Sequence, residues 1–212
     1  MRIISGKYKG KTIRMPRGIR PTQDKVRKAL FDILADIEDV SFLELFAGSG
    51  AVGLEALSFG AKSVVFVENN PACLKILESN LNGLSSAAYD LLPMDALSAI
   101  KKLAQGKANF DIIFLDPPYF KEATPVAMRP GLSDSQASRL LRDVPPSAAK
   151  KTLQMLGVYD ILAPNGFIIV QHFKKDNLPE RAGDLMLFKQ SRYGDSVLSF
   201  YRKHVPDSHI SR

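Results

Sequence analysis

From Ser41 onward the chain alternates short apolar runs with stretches of helical period, and no other feature restricts its fold as tightly. Strands are predicted at Phe42–Phe46, Ser63–Val67, Ala88–Leu92, Phe110–Leu115 and Phe167–Phe173. Helices are predicted between them at Ala51–Phe59, with Gly60 as the stop, at Pro71–Asn82 behind an Asn70 cap, at Ala96–Gln105 and at about Ser147–Leu162. Apolar strands separated by helices belong in a parallel sheet covered on both faces. After Phe173 the alternation stops. Leu185–Tyr193 and Val197–Arg202 flank the tight turn Gly194-Asp195 and read as an antiparallel finish.

Ahead of this body, Met1–Arg14 alternates loosely around glycines and predicts a small hairpin turning at Lys-Gly. A helix capped by Thr22 follows, with Val26, Ala29, Leu30, Ile33, Leu34 and Ile37 on its apolar face and Arg27 and Lys28 pointing elsewhere. At 212 residues one core is expected. The division is a basic arm at 1–21, a main domain at 22–203 and a tail at 204–212. The stretch Phe120–Ser147 carries Pro125, Pro130, Pro145 and Pro146 and fits neither period, as a lid or a disordered insertion would.

Charge is concentrated at one end. Residues 1–28 hold ten basic side chains against the single acid Asp24, whereas the remaining 19 basic and 21 acidic residues nearly cancel. This distribution points to a nucleic-acid-facing arm on a near-neutral body. The candidates are Arg2, Lys7, Lys9, Lys11, Arg14, Arg20 and Arg27. Cys73 is the only cysteine, which excludes an internal disulfide and a cysteine-ligated zinc or iron–sulfur site within one chain. The histidines show no metal-ligand spacing, and surface or packing roles are expected for them. With no apolar run near the ~20 residues of a membrane span and no secretory h-region, a cytoplasmic monomer without metal or membrane contact is expected.

Two strand ends carry the chemistry. Gly48-Ser49-Gly50-Ala51-Val52-Gly53 matches G-x-G-x-x-G after a strand and before a helix, and Glu68 ends the next strand, placed to accept from the ribose hydroxyls of an adenosine cofactor. Glu44, four residues before Gly48, would repel a pyrophosphate by about 1 to 4 kcal/mol at short range and attract a cation. S-adenosylmethionine, cationic and without phosphate, fits this better than a dinucleotide. Asp95 is placed to accept from the adenine amine, or to cap the helix at Ala96, or both.

Asp116-Pro117-Pro118-Tyr119 leaves the fourth strand on the side where open α/β sheets bind ligands. An exocyclic nucleobase amine is a weak nucleophile, because its lone pair is delocalised into the ring. An enzyme that methylates it must hold the nitrogen with acceptors so that the lone pair faces the methyl. The Asp116 carboxylate and the Pro117 carbonyl supply two acceptors, the prolines stiffen the loop, and Tyr119 offers a stacking face. On this chemistry alone a guanine-N2, an adenine-N6 and a cytosine-N4 amine all qualify, in RNA or in DNA.

With these residues in place the sequence resembles the class I S-adenosylmethionine-dependent methyltransferases, and within them the RsmD-like family that methylates the 2-amino group of a guanine in 16S rRNA. The carriers are Arg2–Lys11, Arg20-Pro21-Thr22 through Phe31, Leu45–Gly50 with Gly53–Ser58, Val65–Glu68, Asp116–Tyr119, Arg192–Ser196 and Leu198–Tyr201. The resemblance implies a Rossmann-like sheet, mostly parallel with an antiparallel C-terminal strand, helices on both faces and an N-terminal hairpin. It implies that the methionine part of the cofactor lies over Gly48, Ser49 and Gly50 near Glu44 and Ala47. The ribose then meets Glu68 beside Asn69, the adenine reaches Asp95 and Ala96, and Asp116 to Tyr119 hold the base, with Asp116 also bordering the cofactor. The implied substrate is the small ribosomal subunit or an assembly intermediate. Two departures stand out. Gln171-His172 replaces the Glu-His of that family, and Phe120–Ser147 is longer than its usual loop, long enough to cover the base-binding mouth.

Overall fold

A computed structural model describes residues 1–16, 24–84, 88–118 and 146–204. Thr22, Arg20, Tyr119 and nearly all of the 120–147 insertion, all singled out from the sequence, lie outside the described residues, as does the tail beyond His204. Helix α1 spans Asp24–Leu34 and is followed by β1 Ser41–Leu45, α2 Ala51–Ser58, β2 Ser63–Glu68, α3 Pro71–Leu81, β3 Tyr89–Pro93, α4 Ala96–Gln105 and β4 Phe110–Leu115. Next come α5 Ala148–Leu156, β5 Leu162–Phe173, β6 Arg181–Ala182, β7 Leu185–Tyr193 and β8 Ser196–Lys203.

The strands form one eight-stranded sheet in the order β3-β2-β1-β4-β5-β8-β7-β6. The first five in that order pair in parallel, and β5, β8, β7 and β6 continue antiparallel. Strand alternation splits the core in two. Phe42, Ile112, Phe114, Ile169, Leu198 and Phe200 face α1, α2 and α3, whereas Leu43, Leu45, Ile113, Leu115, Val170 and Tyr201 face α4 and α5. The strand order reverses between β1 and β4, which are neighbours with Leu45 opposite Leu115. Their carboxyl ends diverge there and leave the crevice in which such sheets bind ligands.

Three elements differ from the sequence reading. The predicted helix to Leu162 ends at Leu156, because Gly157 follows and its Cα lies so close to the Ala182 carbonyl that no side chain fits. Strand β5 starts five residues early, at Leu162, but its register with β4 jumps from Phe110–Leu162 to Ile112–Phe167 across Pro164-Asn165-Gly166, so the sequence shows only its regular half. The short β6 gave no periodic signal.

The N-terminal arm is a hairpin in outline, with an Arg2–Thr12 antiparallel bridge. It does not turn at Lys9-Gly10 alone. The residues between Ile4 and Lys9 bend over α2, where Glu55 accepts the backbone N–H groups of Ile4 and Ser5 at 2.9 and 2.8 Å and the Ser58 hydroxyl accepts that of Tyr8 at 2.9 Å. Ile3 and Ile13 are buried in the core on the α1 side, while Arg2, Lys7, Lys9 and Arg14 are exposed.

Arg27 corrects an expectation. It is 0% exposed, with Nε 3.2 Å from Glu55 Oε2 in a charge contact too poorly aligned for a hydrogen bond, and with Nη2 donating to the Arg2 carbonyl at 2.7 Å. A guanidinium enclosed between α1, α2 and the arm cannot meet RNA phosphates, so Arg27 belongs to the scaffold. Lys11 is also engaged internally, its ammonium donating to the Gly83 carbonyl.

Candidate active site

The turn after β1 is built on left-handed backbone: Phe46, Gly48 and Gly50 have φ of 60°, 56° and 75°. The turn points its N–H groups inward, and two carboxyls meet them. Glu44 on β1 accepts from Gly53 N–H at 2.8 Å, supplying the cap that Gly50, at the N-cap of α2, has no side chain to provide. Glu68 at the end of β2 accepts from Gly48 at 2.7 Å through Oε2 and from Asn69 and Asn70 at 2.9 and 2.8 Å through Oε1.

The glycines divide by role. A Cβ added at Gly50 or Gly53 would strike Phe66, with Leu77 or Glu44 beside it, so these positions allow α2 to pack on β2. A Cβ at Gly48 would meet nothing within 4 Å. Gly48 is therefore the turn residue that faces open space. A third side chain fixes the turn from behind. Asn80 on α3, buried, donates through Nδ2 to the Ser49 carbonyl at 3.0 Å and to the Arg14 carbonyl at 3.0 Å, while Oδ1 accepts from Arg14 N–H at 2.9 Å. Sequence reasoning missed Asn80, because an asparagine in a helical pattern carries no sign of its long-range partners.

Glu44 is 3% exposed, and burial pushes its carboxyl up from 4.5 to about 8, with the nearby Asp116 and Glu68 charges adding to the shift. At neutral pH the free protein holds it mostly protonated. The charge argument made for it from the sequence therefore falls to Glu68 and Asp116 until a cation arrives. One consequence is measurable. Between pH 4.5 and about 8 the unfolded chain has released a proton that the fold retains, so stability falls as pH rises through this window. The fall is up to about 1.4 kcal/mol per pH unit. Glu44→Gln is expected to flatten the decline of the urea midpoint across that range, and an unchanged slope would show that the carboxyl is ionised in the fold.

The acceptor capacity of Glu68 is nearly filled. A carboxylate has about four lone-pair sites, and three backbone N–H groups occupy it. One ribose hydroxyl fits beside them, and a second needs the Gly48 N–H to yield. Asp95, exposed, caps α4 by accepting Ser98 N–H at 3.0 Å, and its hydrogen bonds to Ser98 hold its carboxyl below the usual range. The side chain of Ala96 is buried under α4, which leaves only backbone at that position for a ligand. Ala47 and Ser49 are buried in the turn, and Asn69 is exposed at its rim.

Asp116 follows β4 directly across from the glycine turn, because β1 and β4 are paired to their last residues. Pro117 is buried and Pro118 exposed. Leu115 pairs with Val170, which brings the next residue of β5 alongside: Gln171 donates through Nε2 to Asp116 Oδ2 at 2.8 Å. Gln171 is 4% exposed, and its Oε1 is a buried acceptor without a hydrogen-bond partner. Pro117, Pro118, Ser147, Gln171, His172 and Asp176 line a small pocket beside it. His172 lies behind, with Nε2 2.7 Å from the Ser199 hydroxyl and its pKa lowered by burial, in the packing role expected of it. Among the described residues no group of three or more His, Cys, Asp or Glu is placed to hold a metal.

A family model described as "Conserved hypothetical protein 95" matches residues 1–141. "Putative rRNA methyltransferase YlbH" of Bacillus subtilis is 31% identical over 96% of this chain and 99% of its own length. The chain belongs to this RsmD-like family of methyltransferases. Another relative, "Ribosomal RNA small subunit methyltransferase D" of Escherichia coli, is 40% identical over 56% of this chain and 60% of its own length. Among solved structures, "Putative methyltransferase yhhF from Escherichia coli" matches with a TM-score of 0.72 at 27% identity, covering 96% of this chain and 98% of that one. The likeness to that solved structure thus extends over nearly the whole of both chains.

Proposed function

We propose that the chain transfers the methyl group of S-adenosylmethionine to the exocyclic N2 amine of a guanine in small-subunit rRNA. The carrying observation is that Asp116 and the glycine turn stand on adjacent strand ends at the point where the strand order reverses. The relatives named for rRNA methylation support the substrate, and "small subunit" is part of the name of the Escherichia coli relative.

The donor set fits an adenosylmethionine. Gly48 offers an open cradle, Glu68 takes a ribose hydroxyl, and Glu68 with Asp116 favours a cation over a phosphate, a cation to which Glu44 adds its charge once it is bound. When bound, the cofactor supplies a methyl carbon made electrophilic by a cationic sulfur. The Asp116 carboxylate and the Pro117 carbonyl accept from the amine and turn its lone pair toward that carbon. Gln171 holds Asp116 in place by donating to Oδ2, and Oδ1 is the oxygen proposed to accept from the amine. Once the nitrogen has formed its new bond it is acidic, and Asp116 is the nearest base placed to receive the proton. Tyr119 is proposed to stack on the base, and the exposed Arg2, Lys7, Lys9 and Arg14 to meet the RNA backbone.

Incubation of the chain with a labelled methyl donor and deproteinised 16S rRNA, small subunits or DNA, followed by nucleoside mass spectrometry, is expected to yield N2-methylguanosine from an RNA substrate. Methyladenine or methylcytosine in DNA alone would establish the other reading of the Asp116–Tyr119 chemistry. Reversing Lys7 and Lys9 to glutamate is expected to flatten the salt dependence of RNA binding by ~0.7–0.9 in the log–log slope for each phosphate that the arm no longer neutralises. A slope equal to wild type would remove the arm from the interface.

A further inference from the structure

The far end of the sheet carries a feature that the methyl-transfer site does not use. Phe188 on β7 is 44% exposed, a large aromatic ring facing solvent in the middle of a strand. The cause is a bulge. The register of β7 on β8 shifts between Leu187 and Lys189, so Phe188 has no opposite residue and shares a face with Lys189 instead of alternating with it. On that face the Phe188 ring lies 6.2 Å from Phe200, the Arg202 guanidinium 5.1 Å from the Phe188 ring and the Lys189 ammonium 5.6 Å from the Phe200 ring. Arg202 and Lys189 are exposed, and among the described residues no carboxylate pairs with either.

Phe200 belongs to the same core half as Ile3 and Ile13 of the basic arm, so this patch and the arm lie on one face of the sheet. A half-exposed ring flanked by two unpaired cations, on the face that also carries the chain's excess positive charge, has the make-up of a stacking platform for single-stranded nucleic acid. We propose that β7 and β8 form a second RNA-contact surface, on which an unpaired base stacks against Phe188 while Lys189 and Arg202 meet the flanking phosphates.

This rests on the reading that the substrate is RNA, and it adds a contact remote from the reacting base. Arg202 stands opposite Phe167, four residues before Gln171 along β5, and at about 3.3 Å per residue the patch lies more than 10 Å from Asp116. It would therefore hold nucleotides that flank the target rather than the target itself.

The test uses the full chain, a short fluorescein-labelled single-stranded RNA and deproteinised 16S rRNA, with S-adenosylmethionine affinity read by calorimetry as a control. Phe188→Ala is expected to weaken RNA binding about tenfold or more, as removal of one stacked base does. Phe188→Tyr should restore it. The double change Lys189→Gln and Arg202→Gln should reduce the salt slope by about 1.4, from ~0.7 per single-strand phosphate contact. Cofactor affinity should stay at the wild-type value in all of them. Wild-type affinity and slope in every variant, in a protein that still methylates rRNA, would overturn the surface and leave the proposed function standing. Self-association that disappears in Phe188→Ala without any change in RNA binding would overturn it too, and assign the patch to a second copy of the chain. Absence of any rRNA methylation or RNA binding by the wild-type chain would remove the functional reading and this surface together.

Discussion

Asp116→Ala is expected to lower the turnover of rRNA methylation about 100- to 1,000-fold while leaving S-adenosylmethionine affinity within about tenfold. The asymmetry follows from what the side chain contacts. The turn proposed to cradle the cofactor is held by hydrogen bonds from Gly53 to Glu44, from Gly48 to Glu68 and from Asn80 to Ser49. In the proposed mechanism the Asp116 carboxylate instead accepts from the amine, where its contribution grows as positive charge develops on the nitrogen during transfer. Single-turnover kinetics on 16S rRNA, paired with calorimetric titration of the cofactor, separates the two effects. Turnover equal to wild type would end the mechanism. Gln171→Leu gives an intermediate case. It removes the 2.8 Å hydrogen bond that fixes Asp116 and also the unpartnered buried oxygen, so the fold should tolerate it, while kcat falls about tenfold with cofactor affinity unchanged.

The largest loss of stability is expected from Glu55→Ala. This change removes the buried carboxylate beside Arg27, which is 0% exposed, and leaves only the exposed Asp24 carboxylate, 3.2 Å from Nη2, to face the charge, so a loss near the lower end of the range for breaking a buried pair, about 3 kcal/mol, is expected. In a domain of this size that corresponds to a drop in Tm of roughly 10 °C. It also strips the acceptor from the Ile4 and Ser5 N–H groups, so the arm should become the first site of proteolysis. Replacing both partners, Arg27→Met with Glu55→Leu, should recover most of the thermal stability without recovering the arm's attachment. Equal melting temperatures for Glu55→Ala and the wild type would mean that Asp24, or water, compensates Arg27 without Glu55.

The double variant also shows why sequence alone misplaces Arg27. Arg27, Leu30, Phe31 and Leu34 fall at helical spacing on one buried stripe, so periodicity by itself puts Arg27 inside. Only its charge argues for solvent, and the partner that overrides that argument sits on α2, 28 residues away in sequence. Glu44 is misjudged in the same way. Its position at the strand end is legible, but its protonation depends on burial outweighing the Gly53 N–H bond that favours the charged form, which packing alone decides. The parallel body of the sheet is readable because its central strands β1, β2 and β4 are short and mostly apolar, and α4 is read at its observed bounds because Asp95 caps it and Gly106 ends it. The start of β5 is not, since Pro164-Asn165-Gly166 hides a strand that pairs on both sides of a register jump. The contact of Gln171 with Asp116 lies one step beyond the sequence: both residues follow paired strand positions, but register is a property of the assembled sheet.

Asn80 ties two segments to one side chain, since it grips the arm at Arg14 and the glycine turn at Ser49. If the arm meets RNA as proposed, a pull on Arg14 reaches Ser49 through this one side chain, and a ligand settling on the turn acts back on the arm. Thermodynamic reciprocity then requires each guest to alter the other's affinity by the same factor, whichever arrives first.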